Sequence, residues 1–157
     1  MRGVLLIDPI NVFILLFIIK SDTKVIKAIL AGKCDVGIVN TYYLGREIQE
    51  NNQLPVKVFW PNQNDALGVH VNISGAGILS NSKNVKESLK FIEWLALKEQ
   101  QEDFANVNLE YPVNDQAKTS EIVKNWGEFN VNTDFNLMKT GILQSAAIKL
   151  MNEVNYR

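Results

Sequence analysis

Two adjacent phenols, Tyr42 and Tyr43, in the stretch VNTYYLG over residues 39–45, are the side chains of this sequence best suited to unusual chemistry. A phenol ionises near pH 10, so at neutral pH it becomes an anionic ligand only where a hard, highly charged cation displaces its proton. Fe(III) is such a cation, whereas zinc and copper draw on histidine and cysteine. With one histidine, His70, and one cysteine, Cys34, the chain is too poor in those donors for a conventional zinc or copper site. Aromatic pairs pack more often than they ligate, and the dipeptide alone leaves both roles open.

The flanking residues bear on that choice. Cys34 to Val39 reads as a buried strand, and Arg46 to Glu50 as a polar helix, so the tyrosines fall where a strand gives way to a helix. In open α/β sheets ligands sit beyond the carboxyl ends of the strands, and a following helix N-terminus offers free N–H groups and a positive dipole end. Neighbouring side chains in a regular helix diverge by about 100°. Convergence of the two phenols on one atom is therefore expected to depend on non-helical dihedrals at the junction.

The remaining elements follow from periodicity. Asp22 to Leu30 carries Val25, Ile26, Ile29 and Leu30 at helical spacing, with Gly32 as the stop signal. Pro55 to Trp60 and His70 to Ile73 read as short strands. Helices are expected from Asn84 to Ala96, from Glu99 to Ala105, from Ser120 to Trp126 and from Thr140 to Val154. Pro112 makes Asn106 to Asn114 an extended connector. Strands alternating with helices indicate an α/β fold with a largely parallel sheet, although the strands are few for so much helix.

Composition removes several functions. The formal net charge is −1, so no basic excess marks a nucleic-acid partner. A lone cysteine forbids an internal disulfide, and Cys34 is expected to be a small buried residue. Ser74-Gly75-Ala76-Gly77 lacks the Lys-Ser/Thr ending of a phosphate loop and reads as a turn. His70 is expected to be structural, and Trp60, Trp94 and Trp126 to pack. No Ser-His-Asp, Cys-His or paired-carboxylate constellation can be assembled, so an enzyme is not expected. Near the N-terminus, Arg2 and the apolar run from Val12 to Ile19 admit a signal-peptide or anchor reading. No small-residue cleavage site follows, and Asp8, Pro9 and Asn11 interrupt the run, which is short of the roughly 20 residues a bilayer requires. A buried strand is the alternative.

A resemblance covers about residues 22 to 155. The runs KAILAGKCDVGIVNTYYLG, VKVFWPNQN, HVNISGAGIL, FIEWLALKEQQEDFANVNLEYPVN and GILQSAAIKLMNEV, in this order, resemble the C-terminal half of the periplasmic ferric-iron-binding proteins of bacterial ABC transporters. The resemblance implies a partial type II periplasmic-binding-protein-like fold, with parts of two lobes, a truncated mixed sheet and C-terminal helices. It implies a segment 1–21 that does not align, residues 22–70 in the C-terminal lobe, 71–120 in the N-terminal lobe, and 121–157 returning to the C-terminal lobe. Tyr42 and Tyr43 are implied as Fe(III) ligands and Asn40 as a residue holding a synergistic anion. An inner-membrane ABC permease is the implied partner and the periplasm the implied location. Most of the first lobe, with the remaining ligands, is implied to have no counterpart in these residues. Glu110-Tyr111-Pro112 is expected to act as a rigid crossing between lobes. The sequence departs from the family pattern at Lys20-Ser21-Asp22 and in the loop Asp65 to Val69. A non-binding product of a split or degraded gene, or a helical interaction module, are the alternative readings.

Overall fold

The computed structural model describes residues 2–4, 21–64, 67–134, 136 and 138–155. The apolar run from Val12 to Ile19, with its signal or anchor reading, lies outside the described residues. Among those described, no helix is long and apolar enough to cross a membrane.

Helix α1, Asp22–Leu30, forms over the residues its apolar spacing predicts. It turns Ile26 and Ala28 fully inward, while Leu30, expected on the same face, is exposed. Its end is a Schellman motif: Gly32, at φ +67°, donates to the Ile29 carbonyl and Lys33 donates to the Ala28 carbonyl. Strand β2, Ile38–Asn40, then pairs antiparallel with β1, Arg2–Val4, in the register Arg2 to Asn40, Gly3 to Val39 and Val4 to Ile38. Helix α2, Thr41–Glu50, follows β2 with no intervening residue.

The expected sheet is mostly absent among the described residues. Only the last part of the predicted 34–39 strand is strand, and 55–60 and 70–73 form no strand. Val69 makes an isolated parallel bridge to Val131: its N–H donates to the Asn130 carbonyl at 2.8 Å, and its carbonyl accepts from Asn132 at 2.9 Å. A strand requires a hydrogen-bonded neighbour, and these stretches have none described beside them. Among the described residues the sheet is thus small, one antiparallel pair beside an isolated parallel bridge, and not largely parallel.

Four helices complete the chain: α3, Val85–Leu95; α4, Lys98–Asn108; α5, Glu121–Lys124; and α6, Met138–Glu153. Helix α5 is shorter than predicted. Ser120 caps it by accepting from the Val123 N–H, and the chain turns at Gly127, φ +77°. The connector 109–118 is strapped to α3 and α4. Gln101 donates to the Leu95 carbonyl and accepts from the Val113 N–H, while the Asn114 amide donates to the Ala96 carbonyl. Leu109 ends α4 in the left-handed region at φ 57°, an unusual conformation for leucine that its complete burial holds in place.

The core collects under α2: Ile26, Leu44, Val69, Ala105, Leu109 and Val123 are all buried. Beside it, Trp60 stacks on Phe129 at 4.1 Å, Tyr111 meets the edge of the same ring at 5.4 Å, and the Trp60 indole donates to the Trp126 carbonyl. Trp60 and Trp126 therefore pack as expected. Trp94 differs: stacked on Phe91 at 5.8 Å, it stays about half exposed. Cys34 is also partly exposed, contrary to expectation, because the turn after α1 carries it past the core.

Candidate metal centre at the start of helix α2

Two glycines let the tyrosine-bearing segment sit where it does. A Cβ at Gly37 would fall on the Val25 Cγ1 methyl, so only glycine lets the entering chain lie flat on α1. A Cβ at Gly45 would come within 2.6 Å of Leu109 Cδ1 and 3.2 Å of its Cβ, so α2 approaches α4 through a residue without a side chain. Leu44 and the buried Thr41 fix the inward face of α2. That rotation leaves Tyr42 and Tyr43 half-buried at the helix start.

The helix begins earlier than the sequence suggests. Asn40 is the N-cap, with extended φ −71° and ψ 131°, so both tyrosines already lie in the first helical turn. Their phenols nevertheless converge: the ring centroids are 4.4 Å apart with planes 32° from parallel. Helical side chains lean toward the N-terminus, and in the first turn no preceding turn obstructs them. The expectation that convergence needs non-helical dihedrals is thus corrected.

Three charged or polar groups surround the pair. The Arg46 guanidinium, one turn on, lies 5.2 Å from the Tyr42 ring centre and 5.7 Å from that of Tyr43. Asp22, at the start of α1, accepts from the Asn40 backbone N–H at 3.3 Å through Oδ1 and from the Asn40 side-chain amide at 3.2 Å through Oδ2. Asn40 consequently makes no side-chain cap on its own helix. Across the same two helices Lys27 reaches Glu47 at 3.8 Å, with the lysine exposed and the glutamate largely covered.

The Tyr42 phenol is pushed up to about 12. The chief cause is its hydrogen bond to the Tyr43 phenol; burial, the Tyr43 charge and the Asp22 charge add to it, and Arg46 opposes them. Without a cation the Tyr42 phenol therefore stays protonated at neutral pH. Among the described residues no three His, Cys, Asp or Glu side chains gather as a metal site, so the phenols are the notable hard donors of this region. After loss of their protons they would offer two oxygens to one hard cation.

Sequence reasoning singled out Tyr42, Tyr43 and Asn40, and the fold gathers all three at one helix start. It missed Asp22 and Arg46. Arg46 was findable, standing four residues after Tyr42 and three after Tyr43. Asp22 is 18 residues from Asn40, and no local pattern links them. His70 is well away in sequence, beside the Val69 bridge, and outside any strand.

Comparison with known proteins shows what the whole chain is similar to. The profile of the family described as bacterial extracellular solute-binding protein matches residues 7–131. Iron uptake protein A1 of Synechocystis sp. is 36% identical over 143 residues, covering 87% of this chain and 39% of that protein. The Fe(3+)-binding periplasmic protein of Serratia marcescens is 35% identical over 98 residues, 60% of this chain and 28% of its own length. The Trichodesmium FutA structure in complex with iron and citrate superposes with a TM-score of 0.79 at 38% identity, covering 88% of this chain and 45% of that one. The open form of Mannheimia haemolytica ferric iron-binding protein A gives 0.76 at 34% identity, over 88% and 44%. The chain thus spans less than half the length of these relatives. Its fold is part of the type II periplasmic-binding architecture, and the chain belongs to the bacterial extracellular solute-binding protein family.

Proposed function

We propose that this chain is the part of an iron-transport binding protein that grips Fe(III), as cargo, through the Tyr42 and Tyr43 phenolates. The observation that carries the reading is the close approach of two phenol rings, 4.4 Å between centroids, at one helix start. The names and bound ligands of its relatives support the choice of metal. Two phenolates satisfy only part of an iron coordination sphere. The remaining ligands would come from an opposing lobe, and a synergistic anion would lie near Asn40 at the α2 N-terminus. The same reading assigns residues 22–70 and 121–157 to one lobe and 71–120 to the other, with Leu109 of the second part seated on Gly45 of the first. Delivery would be to an ABC permease from the periplasm.

The test is direct. Fe(III) supplied with a weak chelator should produce the visible tyrosinate-to-iron charge-transfer band in the full chain, and Tyr42→Phe with Tyr43→Phe should abolish it. A folded wild-type protein without the band would sink the reading. Each phenolate bond releases a proton, so the apparent affinity should rise with pH, by up to roughly tenfold per unit for each phenol displaced. Because Tyr42 holds its proton more tightly than a free phenol, this dependence should persist throughout the neutral range.

A further inference from the structure

We infer that Asp22 is a positioning residue for the phenol pair, acting through Asn40 to hold the start of α2 against the start of α1. The inference rests on the phenolate reading for its functional meaning, but its structural content stands on separate observations. Both carboxylate oxygens of Asp22 are committed to Asn40, one to the backbone N–H and one to the side-chain amide. That two-point grip fixes the Asn40 amide as well as its backbone, and Asn40 is the residue from which the tyrosine turn departs.

The grip also decides what Asn40 does not do. An N-cap asparagine ordinarily turns its side-chain oxygen back onto the N–H groups of its own helix. Here the amide is drawn across to α1, and no such cap forms. The first-turn N–H groups are left uncapped by that side chain, one residue from the phenols. Asp22 is at the same time the first-turn acid of α1, where its charge suits the helix dipole, so it does not require a cation of its own to remain in place. Its charge faces Tyr42 from one side and the Arg46 guanidinium covers the rings from another. The metal-binding edge is therefore bounded by a carboxylate that is already engaged. In this arrangement Asp22 is no ligand. It sets the distance and tilt at which two neighbouring phenols meet.

A double-mutant cycle on the full chain, Asp22→Ala and Asn40→Ala singly and together, tests this. Far-UV circular dichroism checks folding, and Asp22→Ser, which keeps one acceptor oxygen, replaces the alanine variant if that does not fold. Asp22→Ala should weaken Fe(III) binding against citrate competition by about tenfold or more and shift the charge-transfer maximum. The double variant should lose no more than either single one, because both cut the same link. Binding within about twofold of wild type, or fully additive losses, would overturn the inference while leaving the proposed function intact. A metal-free arm decides the case if wild type shows no band and the iron reading itself falls. In 1H–15N spectra Asp22→Ala should displace the amide signals of Asn40, Tyr42 and Tyr43 and speed solvent exchange of the Asn40 side-chain amide; unchanged signals there would overturn the clamp.

Discussion

Helix α2 and helix α6 are both well formed, yet one is embedded and the other bare. Around α2, Ile26, Leu44, Leu109 and Val123 are buried to within a few per cent, and even Gly45 is used as a contact surface. Along α6, Ile142 is 79% exposed and Leu143, Ile148 and Leu150 are each half exposed or more. Helix α3 resembles α6, with Leu89, Phe91 and Trp94 on its open side. The bare helix α6 is the more apolar of the two, so the difference lies in what stands opposite each helix. The tyrosine pair belongs to the embedded region, where its geometry can be held.

Mutations can break this contrast. Ile26→Ala removes a fully buried side chain and should cost about 2–5 kcal/mol in denaturant unfolding, whereas Ile142→Ala should change stability by less than about 0.5 kcal/mol. Equal effects would mean that α6 is packed in solution. Gly45→Ala should cost about 1–3 kcal/mol despite the better helix propensity of alanine, since the new methyl meets Leu109. Pairing it with Leu109→Ala should recover part of that loss. Charging the bare face with Leu143→Lys and Leu150→Lys should leave unfolding nearly unchanged while reducing self-association, measured by analytical ultracentrifugation. A last expected effect is alkaline. Tyr111, its hydroxyl buried without a partner, is pushed up to about 12 by burial. The folded chain then holds a proton that the unfolded chain releases near pH 10, so stability should decline as pH rises from about 10 toward 12. Tyrosinate absorbance should show Tyr42 and Tyr111 titrating late, and a single transition near 10 would contradict their environments.

How much was legible beforehand varied with the range of the interaction involved. Helix α1 and its glycine stop were readable because a 3.6-residue spacing and a left-handed glycine act within a few residues. The strands over 55–60 and 70–73 were misread because alternation records a preference for extended backbone, while a ladder needs a partner that lies elsewhere. The start of α2 was placed too late because Thr41-Tyr42-Tyr43 has modest helix propensity, and burial of Thr41 and Leu44 overrides it.

By itself the sequence determined the local pieces: which stretches coil, where α1 stops, and that two hard oxygen donors stand side by side in a chain with one histidine and one cysteine. Only the tertiary structure decided that the phenols meet, that Gly37 and Gly45 are contact surfaces, and that Asp22 grips Asn40 across 18 residues. Adjacency in the chain sets which groups are available, but the distance and tilt between them depend on how two helices cross, and that is settled by packing between residues far apart in sequence.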